Sequence, residues 1–415
     1  MFYNHFGFSR FRGITLTARV LLTFSLFLCL SYVAQAQERE LKLRQLSSEG
    51  VYVDGASGND SASGSSGSPL KSISAAIDLL PDPLTQSVDI HIIGGEYRTT
   101  GERNMASNTL ELMRRMRLGV KVRILGQPDR TGNLPVLAWE RGEAMVDVRE
   151  GDWWMENMQI GSGSTQQRRG VMVMGPGHIT LKNVVFRTRS FSDAGIYAHR
   201  GGKVSLRGAI KLNEHLHDKA NEETFSGIIA EDHGLIQFAE RENASLDIGN
   251  GSLSAGYYGV IRLGCEKAKI TSWGEQSNNL AINNGGRIDL MNTLTTLCAK
   301  RKQNTPIGLE HDGHILAEGA HIIIQGENDN AIVLQKASTL TCNDIELKGA
   351  FKSSLSAMSG SMFVGRFIGD ITGVSANTCA TINIEEMKNQ GRISGPVSAE
   401  HGAVISLPDR TVSAR

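Results

Sequence analysis

From about residue 50 onward, short runs of alternating apolar and polar residues recur along the chain, each closed by glycine or asparagine. GIYAHRGGKVSLRG begins at Gly195, GIIAEDHGLIQFAE at Gly227 and GVIRLGCEKAKITSW at Gly259, at two equal intervals. GLEHDGHILAEGAHIIIQG from Gly308, AIVLQKASTLTCNDIELKG from Ala331 and GPVSAEHGAVISLPD from Gly395 repeat the design. Each unit reads as a short apolar strand, a polar turn and a second alternating strand such as Lys203-Val204-Ser205-Leu206 or His321-Ile322-Ile323-Ile324. A period that wanders between roughly 20 and 33 residues suits a β-solenoid with loops of variable length, whereas helical repeats need amphipathic segments that these units lack. The pattern therefore predicts an all-β fold, a right-handed parallel β-helix. Ile196, Val204 and Leu206 are expected to stack on Ile228, Ile236 and Phe238 one coil away, at the strand separation of about 4.8 Å.

Such a stack leaves raw sheet edges at its ends, which need covering. In SPLKSISAAIDLL, Ile73, Ala76, Ile77 and Leu80 fall at helical spacing and Pro81 stops the run, so a short capping helix is predicted over Ser72–Leu80. A second helical loop is expected in MASNTLELMRRMRLG, Met105 to Gly119, with Leu110, Met113 and Leu118 on one face and Arg114, Arg115 and Arg117 on its rim.

The N-terminal segment, up to Ala36, follows a different logic. Arg10, Arg12 and Arg19 precede the apolar stretch Val20 to Val33, and Ala34-Gln35-Ala36 is a small-x-small site, the order of a cleaved signal peptide. The expected organisation is signal peptide 1–36, linker 37–48, parallel β-helix 49–408 and polar tail 409–415, with export to the periplasm, cell surface or medium and no membrane span in the mature chain. Basic and acidic residues balance at 43 each, which gives no pull towards nucleic acid or anionic lipid.

Of five cysteines, Cys29 leaves with the signal peptide. The spacing from Cys265 to Cys298 and that from Cys342 to Cys379 are each close to one coil with its loop, so disulfides Cys265–Cys298 and Cys342–Cys379 are predicted. A Cys298–Cys342 bridge and four buried thiols are the alternatives.

The opening YVDGASGNDSASGSSGSPLKSISAAIDLL followed by DIHIIGGEYR resembles the first coil of pectin lyase-like right-handed β-helix proteins. Tyr52, Asp54, Pro69, Lys71, Ile73, Ala76, Gly95 and Tyr97 carry the match. Later coils such as GSLSAGYYGVIRLGCEKAKITSW resemble autotransporter passenger domains. No translocator barrel follows Arg415 in this sequence, so self-translocation is not expected. The first resemblance implies a polysaccharide-active lyase or esterase on acidic glycan, with calcium where the chemistry is a lyase's and no cofactor otherwise. The intact catalytic runs of that superfamily are absent. The second resemblance implies a binding scaffold for polysaccharide or a surface protein, which is the reading favoured by that absence.

The candidate chemistry lies in turns at equivalent coil positions. His199 and Arg200, then Glu231, Asp232 and His233, then Glu310, His311 and Asp312, and last Glu400 and His401 all follow an apolar strand and precede glycine. Carboxylate beside imidazole serves acid–base work. Tight turns also accept such residues for conformational reasons alone. His215, His217 and Asp218 could ligate a metal if they lay on a strand, but their charged surroundings read as a solvated loop, and no metal is assigned. Trp153 and Trp154 are adjacent, so on a strand one indole faces inward and the other outward, where it can stack on a sugar.

Overall fold

The structure is a computed structural model, which describes residues 48–97, 109–138, 141–161, 166–187, 190–213, 226–273 and 278–414, with Ser31 and Leu46 besides. The expected signal peptide, Ser31 apart, lies outside the described residues. Among the described residues no helix is long and apolar enough to cross a membrane.

The chain is an all-β parallel β-helix. Among the described residues, strands from Val51–Val53 to Thr411–Ser413 belong to a single sheet. Pairing between strands is parallel until the last, where Thr411–Ser413 runs antiparallel to Val404–Ser406. One coil shows the plan: Lys203–Arg207, Ala209–Leu212 and Ser226–Glu231 pair in register with Leu235–Phe238, Ser245–Ile248 and Leu253–Gly256 of the next. These three positions define faces one, two and three of the solenoid. Face one carries a column of apolar side chains that runs in register from Val88 and Val122 through Trp153, Ile179, Val204 and Ile236. It continues through Ile261, Ile288, Ile315, Leu340, Phe363 and Ile382 to Ile405, and every member is buried. Each residue meets its equivalents above and below, so the core grows along one axis.

The expected stacking of Ile196 on Ile228, Val204 on Ile236 and Leu206 on Phe238 is present. The equal interval from Gly227 to Gly259 is not a coil, because Ile228 pairs with Leu253 and Leu235 with Val260, so Gly259 opens face one. The coil shortens there because residues 214–225, between faces two and three, have no counterpart of like length one coil later.

The helix spans Ile73–Asp78 and buries Ile73, Ala76 and Ile77 against the first strand. Ser72 caps it by accepting from the Ala75 amide at 3.2 Å, and Asp60 in turn accepts from the Ser72 amide at 2.7 Å. The second expected helix is a correction: Leu110–Met113 is a strand in register with Val146–Glu150. Leu110 and Leu112 point inward and Glu111 and Met113 outward, a period of two that prevails over the helical spacing.

Faces three and one meet at a turn of fixed geometry. In Arg200-Gly201, Asp232-His233, Tyr257-Tyr258, Asn284-Gly285, His311-Asp312, Lys336-Ala337, Ser359-Gly360, Thr378-Cys379 and His401-Gly402, both residues have positive φ, between +47° and +80°. Successive turns are joined by backbone hydrogen bonds, for example His233 N–H to Tyr257 O at 3.3 Å and Gly285 N–H to His311 O at 3.0 Å.

Candidate functional site

The turn column explains the recurrence of His, Asp and Asn seen in the sequence. The left-handed region disfavours most side chains, and Gly, Asn, Asp and His tolerate it best, so the backbone selects these residue types. His199, Glu231 and Glu310 share one position of the column, and Arg200, Asp232 and His311 the next. They lie along one edge but are not brought together. Asp232 and His311 are three coils apart, about 14 Å at the strand separation. Glu310, His311, Asp312, Glu400 and His401 therefore form no common site with Asp232. His311 Nε2 contacts Lys336 Nζ, and His401 Nδ1 lies 2.9 Å from Asn377 Oδ1. His215, His217 and Asp218 lie outside the described residues.

Convergence occurs instead on the outer surface of face three, beside the lower end of the column. Glu143–Val148, Arg168–Val173 and Asp193–Ala198 are in register, and the chain bends at Met145, Gly170 and Gly195 so that Ala144, Arg169 and Ala194 point outward while Val146, Val171 and Ile196, two positions on, point inward. Gly195 leaves room at this bend for Leu212, whose Cδ2 would lie 2.5 Å from a Cβ placed there. Beyond the bend, Met172, Tyr197 and Ile229 make an apolar floor that packs with Ala144 and Ala194.

Charged groups surround this floor. Arg169, 7% exposed, contacts Glu143, lies 2.5 Å from Asp193 Oδ2, and sets its guanidinium 4.1 Å from the centre of the Tyr197 ring. The Tyr197 hydroxyl donates to Glu231 Oε2 at 3.0 Å, and His199 stacks on the same ring at 5.5 Å. Burial first, and Glu231 second, push the Tyr197 hydroxyl above its ordinary value. Asp232 lies between His199, 3.9 Å from its Nε2, and His233, 3.3 Å from its Nδ1. His199, Glu231, Asp232 and His233 are thus the sequence candidates that reach this site. Arg200 is exposed at the turn, and no contact to the floor places it here.

Asp147 was not legible as a site residue. Its side chain, only 3% exposed, lies on the outer surface as the register partner of Met172. Oδ2 accepts from Arg149 Nε at 2.8 Å, while Oδ1 is buried with no hydrogen-bond partner. Burial raises its pKa above the ordinary value, Arg149 opposes this, and the charges of Glu111 and Glu143 add to the rise. Glu111 is its register partner on the preceding coil. A carboxyl whose pKa is raised by burial and by neighbouring carboxylates is a candidate proton donor to a bound substrate. Among the described residues no three His, Cys, Asp or Glu side chains are grouped as ion ligands.

The tryptophans divide as alternation requires. Trp153 is fully buried and its indole donates to Glu150 O at 2.8 Å. Trp154 lies on the outer surface of face one with Arg207 5.3 Å from its ring centre.

All four described cysteines are free thiols, which corrects the predicted bridges. The register neighbours of Cys298 are Thr271 on the preceding coil and Gln325 on the following one, so Cys265, well before Thr271 in the chain, belongs elsewhere on the circumference. At Cys342 the preceding partner is Ala317, and Cys379 sits in the turn column beside Gly360.

No family model and no curated protein matches the chain. Among solved structures it is similar to the GH136 lacto-N-biosidase from Eubacterium ramulus, at 12% identity over 90% of this chain and 70% of that one, with a TM-score of 0.40. The selenomethionine form of the same protein gives 11% identity over the same shares and a TM-score of 0.31. At that distance the likeness bears on neither substrate nor residue roles.

Proposed function

We propose that the chain is a polysaccharide-active hydrolase that binds a glycan on face three and cleaves it with Asp147 as proton donor. The observation that carries this reading is the buried, unpartnered Asp147 Oδ1 next to Glu111 and Glu143. Asp147 passes its proton to the glycosidic oxygen as the bond breaks, and Glu111 or Glu143 attacks the anomeric carbon or activates a water. Glu111, Glu143, Asp147, Asp193 and Glu231 outnumber Arg149, Arg168 and Arg169, so a neutral glycan suits the surface better than the acidic one that the pectin lyase-like resemblance implies. Elimination is less well supported, because the Tyr197 hydroxyl is held protonated and donates to Glu231, which leaves it no role as a base.

A glycan panel tests the reading through two products. Hydrolysis yields reducing ends without ultraviolet-absorbing unsaturated sugars, and Asp147→Asn abolishes them. Unsaturated products would favour a lyase. Retention on a glycan column without any cleavage would favour a binding scaffold, a reading supported by the adjacent Tyr257 and Tyr258, 57% and 65% exposed.

A further inference from the structure

On the outer surface of face one, three neighbouring strands bring a carboxylate, an imidazole and a hydroxyl together, the hydroxyl two positions along its strand from the register partner of the imidazole. Asp152 begins Asp152–Glu156, His178 is its register partner in His178–Lys182, and Ser205 lies in Lys203–Arg207 on the following coil. His178 Nδ1 lies 3.0 Å from Asp152 Oδ1, and Nε2 lies 2.9 Å from Ser205 Oγ. A carboxylate can only accept, so Nδ1 carries the proton and Nε2 is free to accept from the serine. The Nδ1–H points aside from Oδ1, which is left without a well-aligned hydrogen bond. A small turn of the ring on substrate binding corrects this, as is common for catalytic contacts in unliganded sites. Burial disfavours the charged form of Asp152, but His178 and Lys121, 3.5 Å away, outweigh it and hold the carboxyl below its ordinary value.

The surroundings suit an acyl group. Ser205 is 9% exposed, so its hydroxyl lies at the edge of burial beside His178. Gln237 is its register partner on the next coil and Lys203 lies two positions before it on the same surface. Either can donate to an oxyanion formed beside Ser205. Trp154 shares the row of Thr180 and Ser205, two strands away, and offers a flat surface for the alcohol part of the substrate.

We propose that Ser205 and His178 are the nucleophile and base of an esterase site for short acyl esters carried on a sugar ring, with Asp152 as the positioning residue. Ser205 Oγ attacks the carbonyl carbon while His178 Nε2 takes its proton. Collapse of the tetrahedral oxyanion breaks the bond to the sugar oxygen, which receives that proton from Nε2 and departs as the alcohol. A water then attacks the acyl-serine carbonyl, gives its proton to Nε2, and the free acid leaves as Oγ recovers the proton. This site is separate from the one on face three, and its product is an acid rather than a reducing end, so either proposal can fail without the other.

The exported chain is assayed with p-nitrophenyl acetate and with a peracetylated hexose. Acid release should fall at least about a hundredfold in Ser205→Ala and in His178→Asn. Asp152→Asn should leave KM unchanged while lowering kcat and moving its pH profile, which a merely structural role would not do. As a second measurement, a fluorophosphonate probe should attach to Ser205 in the native chain and fail to do so in His178→Asn. Ester hydrolysis unchanged in Ser205→Ala, or no hydrolysis and no labelling at Ser205 in the folded chain, would overturn the proposal.

Discussion

Gly55 donates its amide to the Tyr97 hydroxyl at 3.1 Å, and that hydroxyl donates in turn to Ile93 O at 2.6 Å, so one side chain ties the Gly/Ser-rich loop to the strand after the capping helix. The Gly-x-Tyr turn that carries much of the resemblance to pectin lyase-like proteins thus has a local reason. Tyr97 is 5% exposed, and a Cβ on Gly55 would approach its ring to 3.2 Å. Tyr97→Phe leaves the Gly55 amide and the Ile93 carbonyl unserved and should cost about 1–3 kcal/mol, read as a lower thermal midpoint. Burial pushes the hydroxyl up to about 12. The unfolded chain ionises first, so this stabilisation is complete below pH 10 or so and fades as pH rises towards 12. Alkaline unfolding curves of the two proteins should therefore converge.

At Asp147 burial outweighs the pairing with Arg149, so its pH dependence has the opposite sign from that of most paired carboxylates. Its folded pKa is raised, so its contribution to stability is greatest below the ordinary carboxyl value and is lost as pH rises through the folded one. Asp147→Asn should raise the melting temperature at pH 7, raise it less at pH 4, and remove glycan cleavage at both. A variant that is less stable at pH 7 would mean that the pairing with Arg149 outweighs burial.

Burial pushes the Cys265 and Cys342 thiols up to about 12 and raises Cys298 as well, whereas Cys379 is exposed on the turn column. Thiolate is the reactive form, so iodoacetamide should label Cys379 alone in the native chain and all four in urea, without added reductant. Labels that appear only after reduction would restore the disulfides.

Ala337 has φ +64° in the turn column and its side chain is exposed. Ala337→Gly should stabilise the chain by up to about 1 kcal/mol, since the left-handed conformation penalises a Cβ. The same change at Ala376, buried in a strand, should destabilise it by a similar amount, about 1 kcal/mol. Denaturant midpoints for the pair check the sign.

Much of the scaffold was legible because its signals are local. Ile196, Val204 and Leu206 announce inward positions by alternation, and Ser72 with Ile73, Ala76 and Ile77 announces the helix. Trp153 and Trp154 divide between core and surface for the same reason. Coil register is not local. It depends on loop lengths between faces, which made Gly259 look like the start of a coil and made the cysteine spacings look like one coil. Site residues were least legible of all. Asp152, His178 and Ser205 each lie a whole coil from the next along the chain and share no motif. Coil stacking alone brings them together, with Ser205 two positions past the register partner of His178. The His and Asp residues that did stand out owe their recurrence to a backbone conformation.

The reversed strand Thr411–Ser413 shapes how molecules of this protein meet one another. Every other described strand pairing offers the geometry on which a like-oriented neighbour could add indefinitely, the arrangement that lets amyloid elongate. A strand laid the opposite way along Val404–Ser406 occupies that edge of face one, which is one way of covering an edge strand. Thr411–Ser413 thus leaves Val404–Ser406 flanked on both sides, by a parallel strand and by a reversed one.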